Sequence, residues 1–115
     1  MGSVLEIEAG QLLRRIIMSE DAVTVAPHAY KVLLENDRVG VLESRMGPGE
    51  KTEMHSHPAV IACPITIGNY KFTSPDGQSM EIEIQPGQAM YMDATEHSTE
   101  NVGSAEGLVI LVELK

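Results

Sequence analysis

The stretch Gly49-Glu50-Lys51-Thr52-Glu53-Met54-His55-Ser56-His57-Pro58 decides how the rest of the chain is read. In an extended strand, residues i and i+2 point to the same side. His55 and His57 therefore turn two imidazoles into one volume, close enough to share a metal ion. His97 lies forty residues beyond His57, at the start of another expected strand. Neutral imidazoles suit several divalent transition metals. A structural site is usually closed by four protein ligands, whereas a catalytic one keeps a position open for water or substrate. Three histidines with no evident fourth ligand match the open pattern. One divalent transition metal ion (Fe, Mn, Ni or Zn) is expected at His55, His57 and His97.

Outward from this stretch the text is β from Tyr30 to the end. Runs rich in Val, Ile, Thr and Tyr alternate with turn signals at short intervals. Expected strands are Tyr30 to Glu35, Val39 to Met46, Thr52 to His57, Val60 to Ile67, Tyr70 to Thr73, Met80 to Ile84, Ala89 to Asp93, His97 to Val102 and Leu108 to Leu114. Turns are expected at Asn36-Asp37, Gly47-Pro48-Gly49 and Ser74-Pro75-Asp76-Gly77. Met80, Ile82 and Ile84 alternate with Glu81, Glu83 and Gln85, which gives one dry face and one wet face. Leu108 to Leu114 is apolar on both faces and reads as sandwiched. Pro64 cannot donate to a ladder and should mark an edge, a bulge or a break. Many short strands without βαβ alternation predict an all-β jelly-roll barrel at 29–115. Residues 1–28 stand apart as an N-terminal arm or helix. Leu12, Leu13, Ile16 and Ile17 fall at helical spacing, and Val4 to Ile7 reads equally as a strand.

The paired histidine segments and their glycines resemble the cupin superfamily. Its first motif is a Gly, five residues, His-x-His, three or four residues, Glu, six residues and Gly; the matching positions are Gly49, His55, His57, Ile61 and Gly68. Its second motif is a Gly, five residues, Pro-x-Gly, two residues, His, three residues and Asn; here it reads Gly87, Asp93, Thr95, His97 and Asn101, one residue short between Gly and His. The resemblance runs roughly from Glu35 to Leu114. Tyr30 to Val39, Gly49 to Pro58 and Leu111 to Lys115 look like small single-domain bacterial cupins, a group that includes a cupin linked to beta-alanine degradation. The resemblance implies a double-stranded β-helix and a metal more than a particular reaction. Ile61 stands where the motif has a Glu ligand, so a three-His site is implied. Cysteine dioxygenase and diketone dioxygenase are cupins with three-His iron sites, so catalysis is compatible with that departure. The Pro-x-Gly turn is replaced by Asp93-Ala94-Thr95, which bears on the aim of His97.

If His55 and His57 face inward, the period places Ile61, Cys63 and Ile65 inward as well, with Phe72, Met90, Met92 and Leu111 as further walls. An apolar cup over a metal is a common form for a ligand site. No general base stands out. Glu53, Asp93, Glu96 and Glu100 flank the ligand segments and read as rim carboxylates; Glu96 is placed to serve a histidine other than its neighbour. His28 reads as a surface turn residue.

Composition narrows the function further. The 115 residues suit one domain. Net charge is -9, so the chain lacks the basic footprint of a nucleic-acid binder and would be repelled by an anionic membrane. A single cysteine, Cys63, excludes an internal disulfide. No apolar stretch approaches a membrane span of about 20 residues, no signal segment opens the chain, and a cytoplasmic location is expected. The expected function is a metal-binding cupin acting on or binding a small organic molecule. An Fe(II)-type dioxygenase or an isomerase is the catalytic version, and a non-catalytic binder or sensor is the alternative. A homodimer is expected.

Overall fold

A computed structural model describes residues 19–115. The expected arm or helix therefore falls, over residues 1–18, outside the described residues. The described chain forms one turn of helix, α1 (Ala22–Val25), and nine strands: β1 (Tyr30–Glu35), β2 (Val39–Met46), β3 (His55–His57), β4 (Val60–Pro64), β5 (Gly68–Thr73), β6 (Ser79–Ile84), β7 (Met90–Met92), β8 (Thr95–Asn101) and β9 (Gly107–Leu114). They form a five-stranded sheet in the order β1-β2-β9-β4-β7 and a four-stranded sheet in the order β3-β8-β5-β6. Every pairing between strands is antiparallel. The chain thus passes repeatedly from one sheet to the other, the two-layer wind of a jelly roll.

Side-chain alternation fixes which residues lie between the layers. Residues directly opposite in an antiparallel pair share a face. In β2, Gly40, Leu42, Ser44 and Met46 are buried, and they stand opposite Glu113, Leu111, Val109 and Gly107 of β9. β9 in turn sets Val60, Ala62 and Pro64 of β4 on that same face. The other sheet contributes His55, His57, His97, Thr99, Asn101 and Tyr70. Ala22 and Ala26 of α1 and its flank, with Ala29 and Tyr30, extend the core beside β3. Small alanines let this short segment lie close, and Ser56 N–H donates to the Glu20 carbonyl at 2.8 Å to hold it there.

The strand limits differ from expectation where local chemistry intervenes. β3 begins at His55 because Thr52 leaves the run to pair with Thr99: its N–H donates to the Thr99 carbonyl at 2.8 Å and its Oγ1 accepts from Thr99 N–H at 2.9 Å. β4 stops at Pro64, although it lies inside the sheet. Its neighbour β7 reaches only to Ala62, so no ladder bond is lost where the proline has no N–H. β9 alternates more than expected: its inner face is buried and Leu108, Ile110 and Val112 are half-covered. The expected turns are built by side chains as well as backbone. Asn36 Oδ1 accepts from the N–H groups of Arg38 and Val39. At Ser74–Gln78, Gly77 takes a φ of +88° that a residue with a Cβ rarely adopts. Among the described residues no helix is long and apolar enough to cross a membrane.

Candidate metal centre and cavity

The histidines meet through two separate rules. Strand alternation puts His55 and His57 on one face of β3, and the β3·β8 register sets His97 directly opposite His55. The Asp93-Ala94-Thr95 segment, which replaces the expected Pro-x-Gly turn, delivers Thr95 opposite His57 and so leaves His97 in line. The three ring centroids lie 4.8, 4.9 and 5.2 Å apart, each pair edge to face. One ligating atom from each ring lies within 4.8 Å of the others. All three are buried, with exposures of 0, 3 and 8% for His55, His57 and His97.

Hydrogen bonds orient two of them. His55 Nδ1–H donates to the Glu53 carbonyl at 2.8 Å, since a carbonyl can only accept. His57 Nδ1–H donates to Glu113 Oε2 at 2.6 Å. In both rings Nδ1 is thereby committed as a donor, which leaves Nε2 as the nitrogen that could meet a metal ion. Tyr30 O–H donates to His55 Nε2 at 3.2 Å. Burial holds the His55 pKa down to about 4, against a raising effect of the Glu53 carbonyl. Burial, then repulsion from His57 and His55, takes His97 down to about 3. Burial pushes the Tyr30 hydroxyl up to about 12. A divalent metal requires unprotonated imidazole nitrogens, and with one such atom from each ring within 4.8 Å of the others, His55, His57 and His97 could hold one ion.

A cavity of about 740 Å³ opens beside them. His57 and His97 reach its wall, while His55 sits behind them. Tyr30, Thr99, Phe72, Met90, Met92 and Leu111 also line it. Phe72 lies 5.1 Å from His97, ring to ring.

Ile61 and Cys63 are not among the lining residues, contrary to the expected period. Pro58 and Ala59 lie between β3 and β4 as the chain passes from one sheet to the other, and the inward parity changes there from odd to even. Val60 and Ala62 face in, Ile61 and Cys63 are half-covered on the opposite side of β4, and Ile65 is 51% exposed. The Glu position of the motif thus carries an isoleucine that faces away from the histidines. A different carboxylate approaches them, that of Glu113, opposite Val60 in the ladder. Sequence reasoning missed Glu113 and Tyr30. The signal for Glu113 was a lone acid in the apolar run Leu108 to Leu114. Tyr30 carried no comparable signal, because its reach to His55 crosses from one sheet to the other.

Other flagged residues have local roles. Glu96 lines the cavity, and its Oε2 accepts from Ser19 N–H at 2.6 Å and from Ser19 Oγ. Glu53 lends its carbonyl to His55. Glu100 pairs with Lys51 at 3.8 Å, and Asp93 accepts from the Tyr91 hydroxyl. His28 is exposed, with Nε2 at 3.2 Å from the Lys51 carbonyl. Asn101, at the Asn position of the second motif, is 1% exposed and ties loops together: its Nδ2 donates to the Met46 and Ala105 carbonyls and its Oδ1 accepts from Gly103 N–H.

No family model and no curated protein matches the chain. Solved structures do. A cupin domain from Bordetella pertussis Tohama I is 28% identical, with a TM-score of 0.69 over 75% of this chain and 91% of that one. A conserved Klebsiella pneumoniae protein with a double-stranded β-helix domain is 19% identical, with a TM-score of 0.61 over 74% of each chain. An RmlC-like cupin from Methanocaldococcus jannaschii is 17% identical, with a TM-score of 0.60 over 74% of this chain and 77% of that one. The two-sheet strand order and these likenesses identify the fold of this chain as that of the cupins, a double-stranded β-helix.

Proposed function

We propose that His55, His57 and His97 hold one divalent transition metal ion and that a small organic molecule reaches it through the adjoining cavity. The supporting observation is the set of three buried imidazoles within 4.8 Å of one another, two of them on the cavity wall. Such an ion would supply Lewis-acid or, as Fe(II), oxygen chemistry at its open positions. The chain's own contribution is orientation, in that Glu113 and the Glu53 carbonyl fix two rings beside a mainly apolar wall. A non-catalytic binder or sensor is the second reading. It is favoured by the lining, where among the described residues Glu96 is the only carboxylate and is already engaged by Ser19. The likeness to the beta-alanine degradation group rests on Tyr30 to Val39, Gly49 to Pro58 and Leu111 to Lys115 of the sequence alone.

Elemental analysis of protein purified without added metal tests the metal. About one equivalent of Fe, Mn, Ni or Zn is expected, lost in His57→Ala with β-structure retained by circular dichroism. Less than about a tenth of an equivalent, with refusal of all four ions on reconstitution, sinks the proposal. Oxygen uptake by Fe(II)-loaded protein against small acids, diones and thiols separates the readings, because a binder gives tight binding without uptake.

A further inference from the structure

Buried polar atoms almost always have hydrogen-bond partners, so those that lack them call for an explanation. Among the described residues, two buried side-chain atoms lack a partner, Thr99 Oγ1 and Tyr70 Oη, and both residues line the cavity. The Tyr70 hydroxyl stands where a Cβ on Gly107 would be, packed against β9. Thr99 lies nearer the histidines and within reach of the Tyr30 hydroxyl. It stands two residues from His97 on the same face of β8, on the wall that also carries Tyr30.

Tyr30 adds a second donor to this end of the cavity. Its hydroxyl is directed at His55 Nε2, the one lone pair on that ring left by the Glu53 contact. If His55 spends that lone pair on a metal ion, the Tyr30 O–H loses its acceptor. Two hydroxyls, Tyr30 and Thr99, then share one wall with His57 and His97; they lie within reach of each other, and one hydrogen bond between them leaves one O–H proton that an acceptor atom of a ligand can take.

Charge narrows the ligand further. Lys31, Arg38, Arg45, Lys51, Lys71 and Lys115 are the described basic residues, and none lines the cavity. Without a metal ion, the Glu96 carboxylate is the only formal charge on the lining among the described residues, and the whole chain is at -9. In the metal-free cavity a carboxylate ligand would be stripped of water with no cationic side chain among the described residues to meet it, and that is unfavourable. An ammonium would find Glu96 already accepting from Ser19. Phe72, Ile82, Met90, Met92 and Leu111 offer apolar contact instead.

We infer that the cavity takes an uncharged, mainly apolar carbonyl compound, its oxygen toward Tyr30, Thr99, His57 and His97 and its hydrocarbon body along Phe72 and the methionines. The placement of the oxygen rests on the proposed metal site, whereas the charge preference rests on the cavity alone.

Calorimetry with 4-phenylbutan-2-one, 3-phenylpropanoate and butylbenzene tests both parts, on full-length protein in zinc-loaded and metal-stripped forms. On metal-stripped protein the ketone should bind at least about tenfold more tightly than the acid, and Met92→Lys should reverse that order. On zinc-loaded protein, Tyr30→Phe should weaken the ketone about tenfold while leaving butylbenzene unchanged, and Thr99→Val should act in the same direction if Tyr30→Phe does not fold. Refusal of zinc would defeat the metal reading and leave the metal-stripped arm to decide the charge preference. Acid binding as tight as ketone binding, or no binding of any of the three probes, overturns the inference.

Discussion

Glu113 shows how one residue can complete a site that the motif alone leaves open. An Ile at position 61 removes the expected carboxylate, and the inner face of β9 supplies another that orients rather than completes the ligand set. A carboxylate accepting from Nδ1 fixes the ring and raises its basicity toward a metal on Nε2. Glu113→Gln keeps the shape and removes the charge, so metal affinity should fall about 10–100-fold. Competition with a chromophoric chelator measures this, and an unchanged dissociation constant would show that Glu113 only fills space. The three histidines are legible in the sequence because alternation and a two-motif frame both point to them. Glu113 and Tyr30 are not, because their contacts depend on which strands become neighbours. Ile61 and Cys63 depart from the expected period for a related reason: alternation does not carry through Pro58-Ala59, where the chain changes sheets.

Strand positions are legible from turn chemistry, with Asn36-Asp37, Gly47-Pro48-Gly49 and Ser74-Pro75-Asp76-Gly77 all falling between observed strands. Their limits are less legible, since Thr52 and Pro64 end runs through pairing that exists only in the assembled sheets. Gly107, at the start of β9, belongs to the same category. A Cβ there would stand 1.7 Å from the Tyr70 hydroxyl, and that ring is wedged between the two sheets. Gly107→Ala should therefore cost about 1–3 kcal/mol, as overpacking of a core does. Urea unfolding checks it, and Tyr70→Phe in the same chain should recover part of the loss. β1 raises a different question, because among the described residues it pairs only with β2 and leaves Val32, Leu33 and Leu34 42, 47 and 52% exposed. An apolar edge of this kind invites pairing. The β1·β2 register shifts at Leu33, between Val32 and Leu34, so pairing with a second copy would run through the residues flanking that irregularity. We propose the expected homodimer on this edge. Light scattering should give twice the monomer mass, with Leu34→Lys shifting it to monomer, and a monomeric wild type would exclude the pairing.

The described residues form two sheets around a buried histidine cluster, and that cluster should govern how stability responds to acid. His55 and His97 are held neutral by burial, with pKa values down to about 4 and about 3, against about 6.5 in an unfolded chain. Between those values the unfolded chain binds protons that the folded one does not, so stability rises with pH across that window. The stability of metal-free protein attributable to these two groups is therefore complete above about pH 6.5. It declines as the pH falls toward the folded values, with no further loss from them below about pH 3. A bound metal ion opposes the decline, because it occupies the same lone pairs and stabilises only the folded state. At a free concentration of about 100 times its dissociation constant it adds about 2.7 kcal/mol. Urea midpoints of metal-free protein should drop between about pH 7 and about pH 4.5. His97→Phe, which removes one buried titrating ring without emptying its space, should flatten that slope. Zinc-loaded protein should hold its midpoint further into the acid range than metal-free protein. Equal slopes for wild type and His97→Phe would mean that acid acts through the surface carboxylates instead, and that the histidines are not the titrating elements of the fold.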